Sequence, residues 1–271
     1  TSDLFLTLIA TLTFGFSASS QDLTNEGTDF WVAFPEVFDN ANAIFEINVS
    51  SRYTTTGTVE IPGTGFSEDI TINPGIVTTV TLPSLDANIT EDEAILDVAI
   101  HITAVDPVTV YASTFHLYRS EASVVLPTPS LGSSYMITTY QNFSTNKSEF
   151  VVVAGSAPCE FVVTPSCDTE GAGSAGIPMA PVTLNPGEVY MVQAANGAYD
   201  LTGTMVEATN GTDQFAVFNG HEFAQVGVCG GSTKDPLYDQ AFPLSSWGTE
   251  YIITKTEGQN INSYRAVASE D

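Results

Sequence analysis

A six-residue pattern that occurs three times constrains the fold of this chain more than any other feature. The pattern reads Gly-[Thr/Ser]-x-[Phe/Tyr]-x-[Val/Ile] and begins at Gly27, Gly132 and Gly248. The intervals are about 105 and about 116 residues. Repeats of this length that hold six or more short strands are typical of β-sandwiches. The sequence therefore predicts an all-β chain of tandem β-sandwich-like repeats, the third of which is truncated.

The segments after each motif are predicted to be β-strands. Helical periodicity is nearly absent, while Val, Ile, Thr, Phe and Tyr alternate in short runs between Gly, Pro, Asn and Asp. An apolar run follows each motif glycine after a similar interval, at residues 45–49, 150–154 and 264–268. The repeat therefore extends well beyond the motif itself.

Two kinds of turn are predicted between these strands. Asn-Pro-Gly occurs at residues 73–75 and 185–187. Because Pro presets φ and Gly accepts a positive φ, this tripeptide favours a type II turn. The first copy is predicted to close with strands at residues 99–103 and 108–112, with a polar turn at residues 105–107.

The N-terminus indicates a secreted protein. The apolar run 4–16 is too short for a membrane-spanning helix of about 20 residues, and small residues follow it at 18–20, as a secretory cleavage site requires. A buried N-terminal strand or helix and a membrane anchor are the alternatives. The chain begins at Thr1 and lacks a basic start, so we expect an incomplete reading frame. The predicted organisation is a signal peptide at 1–20, β repeats at 21–131 and 132–247, and an incomplete repeat at 248–271.

The sequence is compatible with two arrangements of the third repeat. An unpaired strand at its start would be prone to aggregation, so we expect the repeat to continue in the natural protein. The alternative is that its opening strands close against the first copy, as the ends of a propeller do.

Composition narrows the classes of function. The chain is 43% hydrophobic and 14% charged, which indicates a packed globular protein. Its 32 acidic and 6 basic residues give a formal net charge of -26. Nucleic acids and anionic membranes are therefore poor partners, because they require clustered Lys and Arg. The acidity favours solubility through self-repulsion, and cation binding, for example of calcium by carboxylates, is the alternative.

Three cysteines are compatible with one disulfide and one remaining thiol. They are Cys159, Cys167 and Cys229. Residues 160–164 read as a strand that would hold the first two about 20 Å apart, whereas a disulfide needs less than about 7 Å between Cα atoms. Either this strand breaks at residues 164–165 or Cys229 takes part. The spacing does not match a zinc site.

No catalytic constellation is apparent. His101, His116 and His221 have no nucleophile motif beside them. His101 alternates with isoleucines and is predicted to face solvent, and His221 is predicted to lie in a loop as a weak metal-ligand candidate. The acidic run 91–93 reads as a solvated loop. The glycine-rich stretch 171–176 lacks the lysine of a phosphate loop and reads as a flexible surface loop.

Trp31 is the candidate binding residue. The aromatic position shared by the three motifs, Phe30, Tyr135 and Tyr251, is predicted to point into the core. Trp31 follows Phe30 in a strand, so its ring points to the opposite face. It therefore covers another surface, either a contact between units or a platform for a ligand or glycan.

The ordered series of motifs resembles a known family. Residues 27–34, 107–112, 126–135 and 242–251 look like the N-terminal domain family of the IgGFc-binding protein, and the likeness covers nearly everything after residue 22. Members occur in animal mucus glycoproteins and large bacterial surface proteins, so the resemblance implies extracellular adhesion or matrix binding. The family commonly carries two cysteines between its penultimate strand and the Pro-containing segment, where this chain has only Cys229.

These observations favour a secreted or cell-surface, non-enzymatic β module within a larger protein, serving adhesion, extracellular matrix binding or protein binding. The partner would be an extracellular protein or glycan, with no membrane insertion of the mature chain. The alternatives are a carbohydrate-binding module that uses Trp31 and a calcium-stabilised structural repeat. No other cofactor is expected.

Overall fold

The structure, a computed structural model, describes residues 24–142, 145–226, 234–254, 257–258 and 264–269. The predicted signal peptide, residues 1–20, lies outside the described residues. Within them nearly all regular structure is β-strand arranged in antiparallel sheets, so the all-β prediction is confirmed. None of the helices found there is long and apolar enough to cross a membrane.

The strands form two sets that follow the two complete copies of the repeat. The first set is β1 (Glu26–Val32), β2 (Ile44–Ser50), β3 (Thr55–Ile61), β4 (Phe66–Ile72), β5 (Thr78–Leu82), β6 (Ile95–Leu96), β7 (Ile100–His116) and β8 (Arg119–Val125). The second is β9 (Ser134–Met136), β10 (Ser148–Ala154), β11 (Cys159–Thr164), β12 (Val182–Leu184), β13 (Val189–Gln193), β14 (Met205–Ala208), β15 (Phe215–Ala224) and β16 (Asp235–Gln240). Among the described residues, helical structure is limited to α1 (Ser84–Ala87) and the 3-10 turns Asn40–Asn42, Thr128–Ser130 and Leu244–Ser246.

The two sets pair their strands in the same order. In the first set, β1 and β3 flank the N-terminal half of β7, and β4 pairs with β3. The strands β2 and β8 flank the C-terminal half of β7, and β5 pairs with β2. In the second, one sheet has the order β12-β11-β14-β9, and the other contains β13-β10-β15-β16. Each set thus forms two layers with equivalent connections, which is why the sequence repeats at this interval.

The copies differ where their layers join. In the second copy β14 and β15 are separate strands, whereas in the first their equivalents form the single 17-residue strand β7. The turn predicted at residues 105–107 is therefore wrong. This stretch is exposed and extended, and it lies between the residues that pair with β3 and those that pair with β2. Pro107 fits there because no backbone N–H is needed on the unpaired side.

The Asn-Pro-Gly turns agree with the sequence prediction. Gly75 has φ 75 and Gly187 has φ 89, which lie in the left-handed region that favours glycine. In each turn the residue after the glycine donates its N–H to the carbonyl of the asparagine, at 3.2 Å for Ile76 and 3.0 Å for Glu188. Each turn carries the chain from one layer of its sandwich to the other.

The sheet containing β10 is buried on both faces. All seven residues of β10 are buried. Phe150 and Val152 belong to the core of the second copy, whereas Val151 and Val153 join the core of the first. A continuous apolar run is the pattern expected of such a strand. The two copies therefore share a large apolar contact and are not independent domains.

A segment of the first copy also crosses onto the second. Strand β6 pairs with β13, and just before it Glu93 adopts φ 49. The Glu93 carboxylate accepts hydrogen bonds from the Thr169 hydroxyl and, at 2.8 Å, from the Ala172 N–H. Asp92 accepts the Gln193 N–H at 2.6 Å. The acidic run 91–93 and the glycine-rich stretch 171–176 are therefore not simply solvated loops, because they hold each other across the two copies.

The motif glycines explain how successive copies meet. A Cβ built on Gly27 would lie 2.3 Å from Cβ of Pro127, and one built on Gly132 would lie 2.4 Å from Cβ of Pro243. Each of these prolines lies just before the next motif. Glycine is therefore required because the connection to the next copy crosses directly over the motif backbone.

The edge of the shared contact carries a half-buried acid. Strand β8 lies beside β16, where Ser123 donates to Asp239 at 2.7 Å. Burial, assisted by the charges of Asp235 and Asp239, raises the pKa of Glu121 from 4.5 to about 7. The folded protein thus binds this proton more tightly than the unfolded chain. The resulting stabilisation is fully present below pH 4.5 and is lost as the pH rises through 7.

Replacing Gly132 by alanine is expected to lower the free energy of unfolding by about 1–3 kcal/mol, because the new methyl group must displace Pro243. Gly248→Ala is the matched control, since its nearest atom would be 3.8 Å away, and we expect a change of less than about 0.5 kcal/mol. Urea unfolding followed by circular dichroism measures both. Equal losses would contradict the proposed role of the glycine.

Glu121→Gln is expected to raise the free energy of unfolding at pH 8 by about 1–2 kcal/mol, because the variant no longer keeps a charge in this half-buried site. The gain should nearly vanish at pH 4.5, where the wild-type carboxyl is protonated when folded. Glu68→Gln removes one charge from an exposed position on β4 and serves as the control. Denaturant unfolding at the two pH values tests this, and a gain independent of pH would refute it.

Candidate functional site

His101 lies in a polar network at the joint between the copies. Its ring nitrogens Nδ1 and Nε2 lie 3.1 Å from Glu60 Oε1 and 3.0 Å from Asp29 Oδ2, respectively. The ring stacks on Trp31 with centroids 4.1 Å apart. Its side chain is only 17% exposed, so the solvent-facing position expected from the sequence is wrong. His101 does alternate with buried isoleucines, but the face opposite the isoleucines is itself covered.

Trp31 is buried between the two copies. It is 5% exposed, and its Nε1–H donates to Ser156 Oγ at 3.2 Å. Ser156 in turn donates to Asp29 Oδ1 at 3.2 Å, and the Thr128 hydroxyl donates to the same carboxylate. These hydrogen bonds help to keep the pKa of Asp29 below its usual value, despite its partial burial. Trp31 therefore contacts the second copy and presents no exposed ring face on which a sugar could stack.

The other two histidines have their own surroundings. His116 lies 3.1 Å from Asp39. His221 is fully buried on β15, where its Nδ1 accepts the Phe223 N–H at 3.0 Å. Burial lowers the pKa of His221 to about 4, so its ring is neutral at physiological pH. The expected loop position of His221 is wrong. Across the described ranges, no three His, Cys, Asp or Glu side chains are grouped as a metal site requires.

Two of the three cysteines are described, and neither is paired. Cys159 is buried at the start of β11 and Cys167 lies beyond its end, so the intact strand separates them. Burial raises the pKa of Cys159 to about 12 and that of Cys167 to about 11, which makes both thiols unreactive. Cys229 lies outside the described residues, so its pairing stays a prediction.

The structure also assembles a partly exposed aromatic and cationic cluster that the sequence did not predict. We define the Phe38 platform as Phe38, Arg119, Phe223 and Lys234. The two phenyl rings stack with centroids 4.8 Å apart and an interplanar angle of 10°. The Arg119 guanidinium carbon lies 5.2 Å from the Phe38 centroid and 4.7 Å from that of Phe223, and Lys234 Nζ lies 5.7 Å from Phe223. These distances are within the range of cation–π attraction.

Each member of the Phe38 platform is positioned by a different element. Phe38 follows β1, and its N–H donates to the Glu222 carbonyl at 3.1 Å. Arg119 begins β8 and donates to the Phe38 carbonyl at 3.3 Å. Phe223 lies on β15 and Lys234 directly precedes β16. The platform therefore exists only when the two copies are packed together.

Arg119 and Lys234 differ from the other basic residues in the described ranges. Three of these pair with acids, Arg52 with Glu26 at 2.7 Å, Lys147 with Glu170 at 3.1 Å and Arg265 with Asp200 at 2.6 Å. No carboxylate oxygen of the described residues lies within 4.0 Å of Arg119 or Lys234. In so acidic a chain, two cations without carboxylate partners are unusual. Their charges remain available to a partner.

The surface of the Phe38 platform is suited to recognition and not to covalent chemistry. Phe38 is 46% exposed, and the neighbouring hairpin tip adds the exposed side chains of Leu117 and Tyr118. Stacked rings with a guanidinium resting on them form a rigid apolar surface that carries positive charge. Sequence reasoning missed it because its members come from four distant segments. One sequence signal could have pointed to this cluster. Basic residues are so scarce in this chain that each of them is a candidate for a specific role.

Comparison with known proteins agrees with the resemblance seen in the sequence. A protein-family profile described as IgGFc binding protein matches residues 121–271. The human (Homo sapiens) IgGFc-binding protein is 28% identical over 260 residues, which cover 93% of this chain. The aligned region is 5% of the human protein, so this chain spans a small part of that relative's length. Because the profile covers more than half of its residues, this chain belongs to the IgGFc binding protein family.

Proposed function

We propose that this chain is a secreted or surface-displayed, non-enzymatic module that binds another extracellular protein through the Phe38 platform. Adhesion or matrix assembly within a larger protein is the role we assign to that binding. Family membership supports the protein-binding part of this proposal. The observation that carries it is a pair of cations with no carboxylate partner among the described residues, Arg119 over both stacked rings and Lys234 over that of Phe223, in an acidic chain.

Three of the four members of the Phe38 platform, Phe38, Phe223 and Arg119, are of the types found at binding hot spots. Aromatic residues and arginine are enriched at the energetic centres of protein interfaces. Arg119 is already held by two rings and by the Phe38 carbonyl. Little side-chain entropy is therefore lost when a partner docks, which favours affinity.

The surroundings of the histidines support a non-enzymatic role. General base catalysis by histidine needs a ring nitrogen directed at a nucleophile or a substrate. His101 is engaged by two carboxylates, and His221 is buried and neutral. The two hydroxyls in this network, Ser156 and Thr128, do not bond to a histidine: Ser156 bonds to Trp31 and Asp29, and Thr128 bonds to Asp29.

The proposal includes the domain organisation and the extracellular location that the sequence predicts. Residues 1–20 are assigned as a signal peptide, residues 21–131 and 132–247 as two units, and residues 248–271 as the start of a third. Equivalent strand pairing in the two sets of strands supports this division. The shared core means that the two units act as a single rigid support for the Phe38 platform.

Arg119→Ala is expected to weaken binding to the partner at least tenfold, because it removes a cation and the contact that orders Phe38. The printed name of the human relative makes the Fc part of IgG the first ligand to test, followed by a set of extracellular matrix proteins. Biolayer interferometry with the immobilised ligand measures the affinity, and added salt should weaken it.

Arg52→Ala is the matched control, since Arg52 is 76% exposed and pairs with Glu26 away from the Phe38 platform. It should bind like the wild type, and thermal melting should show both variants folded. If Arg119→Ala binds as tightly as Arg52→Ala, the platform is not the binding site. If the wild type binds none of the ligands, the protein-binding proposal fails.

A further inference from the structure

The third copy of the motif forms its internal hydrogen bond, but its aromatic side chain is exposed. The N–H of Gly248 donates to the Tyr251 hydroxyl at 2.9 Å, just as the N–H of Gly132 donates to the Tyr135 hydroxyl at 2.8 Å. The hydrogen bond within the motif is therefore the same in both copies. The surroundings differ, because Tyr135 is 0% exposed and Tyr251 is 69% exposed.

The residues that cover the second motif come from much later in its own unit. Strand β14 pairs with β9, placing Val206 opposite Tyr135. The ring of Phe215 lies 5.3 Å from that of Tyr135, and the Tyr135 hydroxyl donates to the Phe215 carbonyl at 2.7 Å. In the described part of the chain, residues 251–254 form no strand and have no counterpart of β14 beside them.

A groove lies beside the uncovered motif. Its volume is about 970 Å³. One wall includes Leu126 and Thr138 from the first two copies, and the rest is mainly apolar and includes Phe242, Trp247, Ile252, Ile253, Tyr264 and Val267. Ile253 is 61% exposed, whereas its counterpart Ile137 is fully buried. Large apolar side chains exposed together in this way mark an interaction surface.

The glycine contact points to the same missing element. Gly27 and Gly132 are each crossed by the proline that precedes the next motif, whereas at Gly248 no atom of the described residues lies closer than 3.8 Å to a built Cβ. The third motif thus offers the space for a crossing proline, a position at which a β14-type strand can pair, and a cavity for the aromatic residue that backs that strand.

We propose that residues 248–254 and this groove are the docking site for the later strands of a third unit of the same repeat. The occupant is the remainder of that β-sandwich, which supplies a strand with the apolar alternation of Met205–Ala208 and an aromatic residue in the place of Phe215. A second copy of this chain does not fit the site, because its β14 is already paired on both sides, with β9 and β11. The net charge of -26 also opposes close approach of two copies.

A chimeric chain tests this inference. The full chain through Ala268 is continued directly with residues 155–247 of the second unit, because Ala268 and Ala154 occupy equivalent positions after the motif. Hydrogen exchange measured by mass spectrometry reports on residues 249–254. We expect their amides to exchange at least roughly a hundredfold more slowly in the chimera than in the parent chain. Residues 134–137 should be protected in both chains, and the hairpin tip at Leu117 should be unaffected.

A second variant guards against an unspecific effect of the extension. Tyr251→Asp should abolish the protection of residues 249–254 in the chimera and leave the melting of the first two units unchanged. If residues 249–254 exchange as fast in the chimera as in the parent chain, whether or not the added segment folds, the proposal is overturned. It is also overturned if the protection persists in Tyr251→Asp, because the docking would then not use the motif.

Discussion

The sheet that contains β10 is buried on both faces, and this double burial holds the two copies together. Strand β10 sends Phe150 and Val152 into one core and Val151 and Val153 into the other. The strands beside β10 also contact the first copy. On β16, the Tyr238 hydroxyl donates to the Ala33 carbonyl at 3.1 Å, and the Tyr238 ring stacks near that of Phe34. Separating the two copies would expose this apolar face to water, at a cost of about 25 cal/mol per Å². The joint is therefore rigid, and surfaces formed by both copies have a fixed geometry.

Acidic groups at this joint contribute specificity more than stability. Glu149 is fully buried on the face of β10 that meets the first copy, and burial raises its pKa well above the usual value. The Gln193 side-chain amide donates to Glu149 at 2.9 Å and to Glu36, from the first copy, at 3.2 Å. A buried polar group of this kind costs free energy unless its partners are in place. The amide between two carboxyls therefore penalises packing of the copies in any other register.

Local patterns in the sequence were sufficient to predict the strands and turns. The repeat was sufficient to predict that the two copies contain equivalent strands. Alternating apolar residues located most strands, and Asn-Pro-Gly located the turns at Gly75 and Gly187, because both signals depend on neighbours in the chain. The same reasoning failed at residues 105–107 and at His101, where the outcome depends on strands contributed by distant segments. Strand periodicity gave no sign of the Phe38 platform, because its four residues meet only after both copies have folded and packed. Long-range contacts of this kind leave no periodicity in the sequence.

The motif itself shows how a repeated unit separates folding from function. Its glycine and its aromatic residue serve the same structural purpose in each complete copy, at Gly27 and Phe30 and again at Gly132 and Tyr135. The position after the aromatic residue is free to diverge, since alternate residues of a strand point to opposite faces. In the first copy that position is Trp31, which bonds to Ser156 of the second copy and fixes the joint. Function is therefore to be sought where the copies differ and the surface is open, as at the Phe38 platform.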